Sequence, residues 1–148
     1  MPNVTETPAM HAARLGNTVV RWVNGKTASG SKQVLTDAML YQNIGANQTL
    51  FITEMTYDLT TLSDNCHFNL VRCAAVAGGG AAVDICGHAH MLTGAAYVTG
   101  GSKDRIFDPP IRVPYAAGAL SVSMQIEAND ASAVISCGFH GYLVDGTQ

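Results

Sequence analysis

Charged residues are scarce in this chain. Asp, Glu, Lys and Arg make up 13% of it, about half the usual globular share. A domain with so few charges must hide much of its surface or associate through it. The charges that exist sum to −3, and no Lys/Arg cluster stands out, which excludes the basic groove that holds a nucleic-acid backbone. Long apolar runs are missing too. Nowhere do about 18 apolar residues follow one another, so no helical membrane span is expected. The opening Met-Pro-Asn-Val-Thr-Glu-Thr-Pro has no charged-then-apolar signal pattern. The expectation is a protein made and used without secretion. Cys66, Cys73, Cys86 and Cys137 show no Cys-x-x-Cys spacing, which argues against zinc-ribbon and thioredoxin-type sites. All four lie in apolar, strand-like segments and read as small buried hydrophobes. Cys66 and Cys73 have opposite parity in one strand and are not expected to pair, while a bridge between strands stays open. No Gly-x-Ser-x-Gly occurs, and Gly78-Gly79-Gly80 lacks the Lys-Ser/Thr of a phosphate loop.

What the chain does have is alternation. In Leu120–Ala128, Leu120, Val122, Met124, Ile126 and Ala128 share one parity, and Ser121, Ser123, Gln125 and Glu127 share the other. Successive side chains of a strand point to opposite faces, so this stretch predicts one dry face and one wet face. Asn129-Asp130 suits a tight turn, and Ala131–Val144 returns as a second apolar run. The pair reads as a hairpin at the heart of an antiparallel domain.

Further strands are expected at Thr18–Val23, Thr49–Thr60, Cys66–Val76 and Ala81–Leu92, where β-branched, aromatic and alternating residues gather. In Thr49–Thr60, Phe51, Met55, Tyr57 and Leu59 fall on one parity and Glu54, Thr56 and Asp58 on the other. Asn24-Gly25 is a turn signal, and the three glycines after Ala77 are a loop tip. Asp108-Pro109-Pro110 leads into Ile111–Tyr115, and its prolines predict an edge strand or bulge. Gln33–Ile44 fits a helical face as well as extended chain and is read as extended. Gly138 and Gly141 mark bulges or close contacts. With about eight strand candidates and turn signals between them, the fold class is all-β. The expected architecture is an antiparallel β-sandwich, a jelly roll or related Greek key. Residues 1–16 form an extended N-terminal arm and residues 17–148 the sandwich domain.

Several constellations bear on chemistry. His88 and His90 stand two apart in a strand, hence on one face, and such a pair can bind a metal ion. Cupin-type barrels add a Glu a few residues later, and Met91–Tyr97 contains neither Glu nor Asp. His140 or His67 would have to complete a three-His site. Ordinary hydrogen-bonded histidines are the plainer reading, so no metal, cofactor or catalytic residue is expected. Cys137 and His140 have opposite parity and diverge. Glu54, Asp58 and Glu127 lie on polar strand faces, where a glycosidase-type carboxylate pair competes with simple solvated charge.

The succession Asp108-Pro-Pro-Ile-Arg-Val113, Gly118-Ala-Leu-Ser-Val-Ser123, Asn129-Asp130 and Gly138-Phe-His-Gly-Tyr142 resembles small β-sandwich virion proteins. The resemblance is to decoration and head-fibre-like proteins of tailed bacteriophages, over Thr49–Val144. It implies a jelly-roll-like subunit, commonly trimeric, that binds the outside of a capsid lattice and carries no catalytic residues. Low charge and an extended arm fit a subunit that buries surface in a symmetric assembly. The expectation is therefore a non-enzymatic virion structural protein, a capsid decoration, cement or minor capsid protein, made in the host cytoplasm. Its partners would be itself, as a homotrimer, and the major capsid protein or other virion proteins, without nucleic acid or membrane. Two alternatives stand beside it. One is a cupin-like metal enzyme using His88, His90 and His140. The other is a carbohydrate- or receptor-binding sandwich with an aromatic site around Tyr97, Tyr115 or Trp22.

Overall fold

The computed structural model describes residues 17–27, 33–61, 66–90, 101–128 and 134–145. These form nine strands: β1 (Thr18–Thr27), β2 (Gln33–Val34), β3 (Gln42–Asn43), β4 (Gln48–Thr61), β5 (Cys66–Cys73), β6 (Ala82–His90), β7 (Gly101–Pro114), β8 (Ser121–Ala128) and β9 (Val134–Asp145). One four-stranded sheet has the order β1-β9-β4-β7; a five-stranded sheet has the order β2-β8-β5-β6, with β3 also on β8. Every pairing is antiparallel. Counting β2 and β3 as one interrupted strand, the pairs nest: first with last, second with second-last, and inward to β5 with β6. That is the order made by rolling up one long hairpin, the jelly roll. The expected all-β sandwich is thus the observed one. No helix among the described residues is long and apolar enough to cross a membrane.

The core lies between the sheets. Leu50, Ile52, Met55, Tyr57, Cys137 and Phe139 face it from the four-stranded layer, and Phe68, Leu70, Val122, Met124 and Ile126 from the other. Tyr57 and Phe68 stack across the layers at 4.5 Å. Leu35, Leu40 and Ile44 add to the core from the connection 33–44. That connection is extended with one turn, Leu40 N–H donating to the Asp37 carbonyl. It also ties the two layers at one side, because Trp22 of β1 donates its N–H to the Met39 carbonyl and the Arg21 guanidinium donates to Gln42 Oε1.

Four expectations are corrected. β8 and β9 are not a hairpin: β8 pairs with β2, β3 and β5, and β9 with β1 and β4. Alternation identifies a half-buried strand but says nothing about its partner. Asn24-Gly25 does not reverse the chain. The two residues oppose a single position of β9 between Val23↔Cys137 and Lys26↔Ile135, so they form a β-bulge within β1. The hydroxyl face of β8 is not wet, since Ser121 and Ser123 are fully buried. Ser123 donates to the Leu35 carbonyl, and Ser121 donates to the Ala75 carbonyl while accepting from Gly78 N–H. Finally, Phe51 does not share a face with Met55 and Tyr57. An irregularity between Ile52 and Glu54 in both flanking ladders inserts Thr53 and reverses the parity across it.

Other expectations hold. β7 is an edge strand, and Asp108-Pro109-Pro110 lies in its irregular stretch between Ile106 and Ile111, where no ladder donor is needed. Gly138 and Gly141 are sites of close approach, since a Cβ there would overlap the carbonyl oxygens of Arg21 and Phe51. The loop after β5 turns with positive φ at Ala77, Gly78 and Gly80. The arm 1–16 and the turn Asn129-Asp130 lie outside the described residues.

Candidate functional site

The outer face of the four-stranded sheet collects the polar and aromatic side chains that the core excludes. Register arranges them in rows. Thr18, Tyr142, Phe51 and Arg112 align across β1, β9, β4 and β7, and Val20, His140, Glu54 and Ile106 make the next row. Trp22 follows on β1 opposite Gly138, which carries no side chain to crowd it.

Phe51 and Tyr142 stack with centroids 5.1 Å apart and planes 14° from parallel. Such a pair contributes about 0.5–1.5 kcal/mol beyond its burial, and here it also holds the half-buried Phe51 ring in one orientation against a nearly buried Tyr142. Burial pushes the Tyr142 phenol above its ordinary range. Beside the pair, Glu54 Oε1 lies 3.8 Å from His140 Nδ1, with the side chains 30% and 42% exposed. That carboxylate oxygen also accepts from Thr56 Oγ1 at 2.9 Å. Thr53, the inserted residue, donates its hydroxyl to the His140 carbonyl at 3.2 Å. Thr18, Val20, Thr53, His140, Gly141 and Tyr142 line an open cleft between β1 and the bulge. The face therefore offers the half-buried Phe51 ring, backed by Tyr142, next to a carboxylate, an imidazole and hydroxyls, reached from solvent without opening the core.

The residues singled out from sequence distribute differently. His140 is on this face, whereas His88 and His90 stand in β6 of the other sheet, and their side chains lie outside the described set, as does that of His67. His140 points away from the layer that contains β6, so the backbone does not bring it to that pair. No group of three or more metal-ligating side chains occurs among the described residues. Cys137 is buried in the core while His140 is outside it, as parity required. Glu54 and Glu127 stand on the outer faces of opposite sheets, a full sandwich apart. A glycosidase needs its two carboxyls within about 10 Å. Tyr97 lies outside the described residues, Tyr115 is exposed past the end of β7, and Trp22 is on the candidate face. Phe51 was missed because only the bulge at Thr53 turns it outward.

No protein-family model matches this chain, and no curated protein matches it. Among solved structures, the CBM22-1 xylan-binding domain from Paenibacillus barcinonensis Xyn10C is similar at 17% identity, covering 85% of this chain and 72% of that one, with a TM-score of 0.40. The CBM22-1–GH10 modules of the Clostridium thermocellum N-terminal endo-1,4-β-D-xylanase 10B, complexed with xylohexaose, are similar at 8% identity, with a TM-score of 0.37. The match covers 89% of this chain and 25% of that one. Similarity this distant transfers no ligand or activity to this chain.

Proposed function

We propose that this chain is a non-catalytic binding module that takes a saccharide on the outer face of the β1-β9-β4-β7 sheet. The observation that carries the reading is the stacked Phe51–Tyr142 pair with Glu54 and His140 in the neighbouring row. A pyranose ring has an apolar C–H face and a rim of hydroxyls. The half-buried Phe51 ring suits the first, and carboxylate, imidazole and threonine hydroxyls suit the second. Binding of the full chain to a printed glycan array tests this, followed by calorimetry on any glycan retained. Phe51→Ala is expected to weaken a retained glycan roughly tenfold, the size of one lost aromatic contact. An array with no retained glycan overturns the reading.

A second reading, the virion structural subunit, is supported by the nested jelly-roll strand order and by Val20 and Ile106. These are 58% and 73% exposed in one row of the same face. Covering them would stabilise a homotrimer or a capsid contact by area burial. Light scattering separates the readings. A trimer that Ile106→Lys dissociates favours the assembly subunit, and a monomer with no affinity for any particle removes it.

A further inference from the structure

We infer that the saccharide is an acidic one, with a carboxylate of the sugar held at the β7 margin by Arg112 and Arg72; this rests on the saccharide-binding reading. Arg112 aligns with Phe51 on β4, so a guanidinium ends the row in which Tyr142 and Phe51 stack. Arg112 is exposed, and no hydrogen bond or ion pair of it is found among the described residues. The margin there rounds into a cleft between the two sheets. Arg72 and Asp84 line it from the β5–β6 side, and Ile111, Arg112 and Val113 from β7. Arg72 is exposed and likewise lacks such a partner among the described residues. Asp84, which accepts from Asn69 Nδ2 at 3.2 Å, is the single carboxylate lining the cleft, so one of the two guanidinium charges has no counter-charge there.

Charge complementarity names the occupant. A chain of net charge −3 repels anions in general, yet this margin carries two cations to one anion beside an aromatic surface. Guanidinium presents parallel N–H donors that match a carboxylate in a planar fork. A neutral sugar would leave both forks to water. A uronic-acid residue whose ring rests near Phe51 carries its carboxylate on the ring edge, toward β7.

The test uses the full chain on an array of uronic-acid oligosaccharides, each printed beside its carboxyl-reduced form, which has the same linkages without the charge. The acidic member of a retained pair is expected to bind about tenfold more tightly than the reduced one, as one charge-assisted contact would give. That preference should shrink with added salt. Arg112→Gln should bring the two members to equal affinity, and Arg112→Lys should restore part of the difference by charge without the fork. Both substitutions are at an exposed position, and an unchanged melting temperature confirms the fold. Equal binding of both members by the unaltered chain overturns the acidic ligand and leaves the saccharide reading in place. Retention of no glycan, acidic or neutral, removes both.

Discussion

Cys73 illustrates how position alone changes the chemistry of a side chain. It is fully buried at the end of β5, and loss of water raises its pKa above the ordinary 9.0, with the neighbouring Ser121 hydroxyl acting in the opposite sense. The unfolded chain gives up this proton near pH 9, while the folded chain keeps it to higher pH. The folded state then binds more protons, so stability is intact below pH 9 and falls as pH rises above it. Tyr142 adds a fall of the same sign from about 10.0 upward. Urea midpoints measured from pH 7 to pH 11 should be level at first and then decline. Cys73→Ala should delay the onset of the decline toward the tyrosine range. Identical curves for the two proteins would remove Cys73 as the cause. Ser121 and Ser123 make a related point. Both read as solvent-facing from parity, and both are buried, because the turn after β5 and the chain before β3 bring backbone partners to their hydroxyls.

Among the elements, β1 is held from both sides by different parts of the chain. It is an edge strand bonded to β9 alone within its sheet, and its outer side is tied to the 33–44 connection through the Trp22 amide and the Arg21 side chain. Arg21→Ala removes the side-chain tie. The expected cost is about 1–2 kcal/mol, for a hydrogen bond with a charged donor at a half-buried site. Hydrogen exchange of the Trp22 amide should quicken while the β8 amides, in the middle of the other layer, keep their protection. Uniform loss of protection across both sheets would mean that this tie holds the whole fold and not one edge. β4 shows the limit of pattern reading within an element. Leu50, Ile52, Met55 and Tyr57 are all buried, although a strict period of two cannot place Ile52 and Met55 on one side. The inserted Thr53 makes it possible, and it also turns Phe51 outward to meet Tyr142.

At the level of the whole molecule, the nested strand order sets the folding problem. β1 meets β9, so the two ends of the described chain must come together before the four-stranded sheet is complete. Contacts between residues far apart in sequence require loop closure before they yield energy, which slows folding. Refolding from urea is expected on the millisecond-to-second scale, as for other non-local β proteins. A dominant microsecond phase that restores the stacked Tyr57–Phe68 signal would contradict that topology. The same nesting separates the outer faces of the two sheets, which is why Glu54 and Glu127 do not meet.

The all-β class, the two-sided strands and the edge position of β7 were legible in the residues themselves. Alternation, β-branching and proline act over a few neighbouring positions and do not depend on what lies across the sheet. The partners of each strand, the turn of Phe51 to the outside, the burial of the β8 serines and the row that joins Tyr142, Phe51 and Arg112 were decided only on folding. Each depends on a bulge or on a contact between segments distant along the chain. Local stereochemistry specifies which side of a strand is apolar, but only the closed sandwich specifies what that strand lies against.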